Sequence, residues 1–246
     1  MLTDVNLFEG GNVFKDPEGR ILTTRIAREN VVPTVQWLEQ LTGLNLVDNL
    51  LGSTGKNETS GDLDIGVDSD KISKEVLIQQ LERRGISRDD IRKTGDSVHL
   101  KTPILGDPAN GYVQTDFMFG HPEWQQFRYM GGGSGQFKGM HRAILLSSIA
   151  KELGYLFSNK DGLLKPDTRE VITTDPKEAA RLLIGGTVAD TATVDSIINK
   201  IKNRPDYEKL VAAARDTFAR ENLVLPENAP LPGTGAWFRA WKNRRI

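Results

Sequence analysis

The run Asp62-Leu63-Asp64-Ile65-Gly66-Val67 sets apolar side chains at every second position, with Asp62, Asp64 and then Gly66 between them, the period-two pattern of a strand with one buried face. A slip of one residue would turn every apolar side chain to the wrong side, so the pattern fixes both a strand and its register. It also sets an electrostatic problem. Asp62 and Asp64 lie two residues apart, and their carboxylates therefore leave the strand in the same direction. Two half-buried like charges cannot both stay ionised cheaply unless a cation sits between them.

Two further strands are expected, "SVHLKTPIL" and "GYVQTDFMFG", joined by the turn-forming "GDPAN" as a hairpin. In the second, Val113, Thr115 and Phe117 share one face and Gln114, Asp116 and Met118 the other. If this strand neighbours the first, Asp116 comes within reach of Asp62 and Asp64. Mg²⁺, with Mn²⁺ as a substitute, takes such oxygen ligands together with phosphate oxygens and water. Three carboxylates can hold two ions about 3.5–4 Å apart, the arrangement used for in-line phosphoryl displacement.

The rest of the chain reads as mixed strands and helices, then mostly helices. "KDPEG" is a turn. "VVPTVQWLEQLTG" is a helix with Pro33 in its first turn and Gly43 as its stop. "SDKISKEVLIQQLERRG" is a second helix, capped at Ser69 or Asp70 and stopped at Gly85. "FKGMHRAILLSSIAKELG" spaces Phe137, Met140, Ile144, Leu145 and Ile149 as a buried helical stripe. "YLFSNKDGLLKPDTREVITT" resembles a short hairpin. "DPKEAARLLIGG" has Asp175 as cap, Pro176 in the first helical position, Glu178 closing a capping box and Gly185 as stop. Helices near Val194 to Lys202 and Tyr207 to Glu221 follow. The expected fold class is α+β: residues 1–130 as a catalytic-type module of mixed sheet and helices, residues 131–225 as a smaller, mostly helical module, and residues 226–246 as a Pro/Gly linker and basic-aromatic tail.

Composition narrows the chemistry. The 32 basic and 33 acidic side chains nearly cancel, so no global basic field announces a nucleic acid. The chain has 0 cysteines, which excludes disulfides, thiolate metal sites and cysteine nucleophiles. "MLTDVNLFEGG" is not a secretory signal, and "AILLSSIA" is too short to span a bilayer, so a soluble, cytoplasmic protein with no membrane partner is expected.

Upstream of the two aspartates, Gly52-Ser53 follows the apolar "NLL". A tight turn there offers backbone N–H groups and a hydroxyl to phosphate oxygens, and Lys56 adds a charge close by. A calcium loop from Asp64 fails, because Gly66 stands where an oxygen ligand belongs and Ser69 where glycine is needed. A Walker-type loop fails as well, since Gly55-Lys56 lacks both the earlier glycine and the following Ser/Thr.

Gly52-Ser53, a step of nine positions from Ser53 to Asp62, the strand Asp62-Leu63-Asp64-Ile65, and Asp116 in "VQTDFMF" together resemble the signature of the polymerase-β-like nucleotidyltransferase superfamily. Gly132 to Gly185 is similar to the thumb of family X DNA polymerases, with Gly133, Ser134, Phe137 and Arg142 matching residue by residue. The resemblance implies a palm-like catalytic domain followed by a thumb-like module. It implies metal binding and catalysis by Asp62, Asp64 and Asp116, and phosphate binding by Gly52, Ser53 and Lys56. Gly133-Ser134 would lie by the nucleotide sugar, and the helix bearing Arg142 would face the nascent base pair. Phe137 is equally well a core residue or a stacking platform.

The implied activity is transfer of a nucleotidyl group from an NTP or dNTP to the 3′-hydroxyl of a nucleic acid. Two other readings stand beside it: untemplated transfer to an RNA end, a protein hydroxyl or a small molecule, and a non-catalytic binding or structural protein that kept the fold. His99, His121 and His141 show no ligand spacing and read as structural or surface residues. In the tail, Arg239, Lys242, Arg244 and Arg245 interleave with Trp237, Phe238 and Trp241, which suits either a nucleic-acid grip or docking onto the body.

Overall fold

The structure is a computed structural model that describes residues 12–130 and 136–226. The linker and tail from residue 227, and the triple glycine with Gly133 and Ser134, lie outside the described residues. The fold is α+β, with seven α-helices and sheets that mix parallel and antiparallel strands among the described residues. Two compact units divide at Pro122/Glu123, ahead of the sequence-expected division at 131.

In the first unit, β1 (Ile26–Ala27) leads straight into α1 (Arg28–Thr42). β1 pairs antiparallel with β2 (Thr59–Ser60), and the Arg28 N–H donates to the Glu58 carbonyl, so the sheet edge launches the helix. Pro33 consequently lies inside α1 and not in its first turn. Its ring is exposed, and the missing N–H costs a helical bond that the buried stripe Val31, Val35 and Leu38 offsets. Gly43 ends the helix at φ 69°, a left-handed conformation that glycine reaches without a Cβ penalty.

β3 (Asp62–Asp68) precedes α2 (Lys74–Arg83), whose N-cap is Ser73, accepting from the Val76 N–H. The expected caps Ser69 and Asp70 instead belong to the turn leaving β3, where the Asp70 N–H bonds the Asp68 side chain. β4 (Ile91–Thr94) was not foreseen: four residues with one buried apolar side chain carry little periodic signal. β5 (Ser97–Pro103) and β6 (Tyr112–Gly120) form the expected hairpin. The sheet order is β3-β6-β5-β4, parallel between β3 and β6 and antiparallel elsewhere.

That sheet has two unlike faces. Leu63, Ile65, Val98, Leu100, Val113 and Phe117 are fully buried and form one core with Val35 and Leu38 of α1 and Leu77 and Leu81 of α2. Emptying one such site, as in Leu63→Ala, costs about 2–5 kcal/mol. On this face the Thr102 and Thr115 hydroxyls satisfy each other at 2.7 Å. The alternate residues Asp62, Asp64, His99, Gln114 and Asp116 therefore share the opposite, polar face.

The second unit contains α3 (Pro122–Arg128) from Glu123 onward, then α4 (Gly139–Glu152). Trp124 and Phe127 pack with Phe157 in this unit's core, which explains why the division precedes α3. The expected hairpin is a three-stranded sheet of β7 (Leu156–Phe157), β8 (Leu163–Leu164) and β9 (Val171–Thr173). α5 (Pro176–Ile184) is capped by Asp175, which accepts from the Lys177 N–H, and Gly185 stops it at φ 62°. Glu178 does not close a capping box; it turns outward to pair with Arg181 at 2.6 Å. α6 (Val194–Ile201) and α7 (Tyr207–Arg220) complete the unit, and α7 packs along α4.

Candidate metal centre of the first unit

The register of the sheet builds the site. Parallel pairing sets Asp64 beside Asp116 and Asp62 beside Gln114. One carboxylate oxygen from each of Asp62, Asp64 and Asp116 lies within 4.8 Å of the other two. Asp116 is only 4% exposed, whereas Asp62 and Asp64 are half-buried, so the cluster is closed at its base and open above. Burial pushes the Asp62 carboxyl above its ordinary value, and the charge of Asp116 pushes the same way; Arg25 and a backbone N–H act against them.

The Gly52-Ser53 turn is held over these acids. Glu39 of α1 accepts from the Leu46 and Val47 N–H groups at 2.7 and 2.9 Å, ordering the approach. The Leu51 N–H then donates to the Asp64 carbonyl at 2.9 Å, and Leu50 bridges to Ile65. Gly52 adopts φ 58°, and a Cβ there would stand 3.5 Å from Asp64 Oδ2. The left-handed backbone is what asks for glycine here; beside the carboxylate a Cβ would make only ordinary contact. Lys56 Nζ donates to the Gly52 carbonyl at 2.6 Å, which sets its charge at the same turn.

Four residues that sequence reasoning passed over support the arrangement. Thr54 Oγ1 accepts from the Asp64 N–H at 3.0 Å, tying the turn to β3. Arg25 donates to the Thr59 hydroxyl and carbonyl, and its guanidinium crosses Gly61 so closely that a Cβ there would lie 3.2 Å from Nη1. His99 Nδ1 meets Asp116 Oδ1 at 2.8 Å, and Gln114 Nε2 donates to Asp116 Oδ2 at 3.2 Å. Gln114 in turn accepts the Val13 N–H at 2.9 Å. No spacing rule exposes such partners, since His99 reaches Asp116 only through the antiparallel register of β5 and β6.

The residues expected to face a template are placed differently. Arg142 is 0% exposed, inside the second unit's core. Its Nη1 donates to the Phe127 carbonyl at 2.9 Å, Nη2 to Thr191 Oγ1 at 3.3 Å and Nε to the Thr191 carbonyl. Burial, then the neighbouring charge of Arg128, pushes its pKa down to about 10. Phe137 is also core, stacked at an angle on Phe218 with centroids 5.5 Å apart. Neither side chain is available to a ligand in this conformation; this corrects the expectation for Arg142 and decides Phe137 for the core, one of its two readings. His141 is structural as expected: it accepts the Lys138 N–H at 2.8 Å and pairs with Glu221.

The donor set is all oxygen, with three carboxylates in contact range, and it fits a hard divalent cation of the Mg²⁺ class. No helix among the described residues is long and apolar enough to cross a membrane. Comparison with protein-family models found no match, and comparison with curated proteins found none either.

Proposed function

We propose that the chain is a metal-dependent nucleotidyltransferase that moves a nucleotidyl group from an NTP or dNTP to the 3′-hydroxyl of a nucleic acid. The observation that carries this reading is the convergence of Asp62, Asp64 and Asp116 beneath the Gly52-Ser53 turn. Mg²⁺ or Mn²⁺ held by the three aspartates would supply charge neutralisation to the phosphates and acidity to the attacking hydroxyl.

The chain's own residues would do the rest. Ser53 and the backbone of its turn receive the β- and γ-phosphates, and Lys56 and Arg25 add positive charge around them. Asp116, the most buried of the three acids, accepts the proton of the attacking hydroxyl. The new bond joins that oxygen to the α-phosphorus, the bond from the α-phosphorus to the bridging oxygen breaks, and pyrophosphate leaves. Positioning and charge account for the rate.

One observation favours untemplated transfer as a second reading: the burial of Arg142 withdraws the side chain expected near a template. The test is incubation with Mg²⁺ and each α-labelled NTP and dNTP, with single-stranded acceptor and with primer-template. Label joined to the acceptor, with equimolar pyrophosphate, supports the proposal. Label that requires no template selects the second reading, and no transfer to any acceptor rejects both.

A further inference from the structure

Asp116 is held through both of its carboxylate oxygens. Both of its oxygens accept from buried side chains, Oδ1 from His99 and Oδ2 from Gln114. His99 is itself 8% exposed and sits directly across the β5–β6 pair from Asp116. Because a carboxylate can only accept, the Nδ1–H of His99 is the donor. The other ring nitrogen, Nε2, is in hydrogen-bond contact with the Thr94 hydroxyl of β4. The hydrogen-bond pattern therefore fixes one ring orientation, with Nδ1–H on Asp116 Oδ1 and Nε2 on the Thr94 hydroxyl.

We propose that His99 is a positioning residue that fixes the Asp116 carboxylate for cation binding, with Thr94 fixing the imidazole in turn. The proposal rests on the metal-site reading above. A donor on one oxygen restricts rotation of the carboxylate while leaving each oxygen further lone pairs for a cation. Ordering is then achieved by folding and not at the moment of binding. Partners that orient metal ligands commonly change affinity 10–100-fold when removed, roughly the size expected here. Gln114 secures the second oxygen, so losing His99 weakens the site without abolishing it.

The test is Mn²⁺ affinity measured by electron paramagnetic resonance on the full chain, beside the melting temperature of each variant. His99→Leu removes the donor. His99→Asn places an amide nitrogen where Nδ1 stood and restores the donor without the ring. Thr94→Val leaves the ring in place and removes the hydroxyl that fixes it, at an exposed position where folding is not at stake.

The expected result is a roughly tenfold or greater loss in His99→Leu, recovery to within about threefold of wild type in His99→Asn, and a severalfold loss in Thr94→Val. Wild-type affinity in His99→Leu overturns the proposal; where that variant does not fold, wild-type affinity in Thr94→Val does so. Equal losses in His99→Leu and His99→Asn, tracking a fall in melting temperature, also overturn it, because they make His99 a packing residue. If wild type and Asp64→Asn bind Mn²⁺ equally, the metal-site reading itself fails and takes this proposal with it.

Discussion

The first unit's polar sheet face and the second unit's core both take charge out of water, and they do so in opposite ways. In the core, one guanidinium is enclosed by carbonyl and hydroxyl acceptors and stacks over Phe127 at 4.9 Å. Its hydrogen bonds are made within the unit and stand against its burial and the like charge of Arg128, so the guanidinium is held by acceptors where it lies. On the sheet face, three carboxylates crowd together, and the charge of one raises the pKa of another. That cluster is a repulsion the fold maintains, with the charge of Arg25 acting against it at Asp62. A buried charge that is satisfied reads as architecture, whereas a cluster of like charges reads as a place for a counter-ion.

The sharpest way to break this contrast is to neutralise one side chain on each side of it. Asp64→Asn should lower nucleotidyl transfer by about a hundredfold or more while the melting temperature stays near wild type. Full activity in a folded Asp64→Asn variant would remove the functional half of the comparison. Arg142→Ala should do the reverse. It leaves a cavity and unpartnered carbonyls in the core, a cost of about 3–5 kcal/mol that urea denaturation would register. Its remaining transfer activity should scale with the folded fraction. A stable Arg142→Ala protein that had selectively lost primer extension would return Arg142 to the template.

A third test sharpens the idea of stored repulsion. Because the folded pKa of Asp62 is raised, ionising this group opposes folding. Its contribution is most favourable below the ordinary value of 3.8 and is lost as pH rises through the raised folded value. Metal-free Asp62→Asn should therefore melt a few degrees above metal-free wild type at neutral pH, and the gap should close as pH falls toward that ordinary value. Adding Mg²⁺ should stabilise wild type far more than the variant. A variant less stable than wild type at neutral pH would contradict the account. The smallest expected effect belongs to the turn: Ser53→Ala should raise the KM for nucleotide severalfold and leave kcat close to wild type, as steady-state kinetics would show.

The same contrast explains what the sequence made legible. Asp62 and Asp64 could be placed on one face because strand periodicity is local and strict, whereas Asp116 joins them only through the pairing of β6 with β3. Gly43, Gly185 and Asp175 were readable as helix ends for the same reason, each acting within its own turn. His99 was not readable, since its bond to Asp116 spans 17 positions and exists only through cross-strand register. Arg142 misled for a related reason. A charged residue on an amphipathic helix is ordinarily taken for the solvated side, and only the tertiary positions of Phe127 and Thr191 show that its acceptors lie inward. Helix α2 began later than expected because the turn leaving β3, closed by the Asp70 N–H on the Asp68 side chain, takes up Ser69 and Asp70 and leaves Ser73 as the cap.

The central claim is that Asp62, Asp64 and Asp116 form a cation site which meets the phosphates held on the Gly52-Ser53 turn. Its most direct test is anomalous diffraction from crystals grown with Mn²⁺ and a non-hydrolysable nucleoside triphosphate. The account predicts anomalous density bounded by the three carboxylates, with the β- and γ-phosphates on the backbone and hydroxyl of Gly52-Ser53. Nucleotide bound elsewhere, or three aspartates without a metal peak at saturating Mn²⁺, would contradict it.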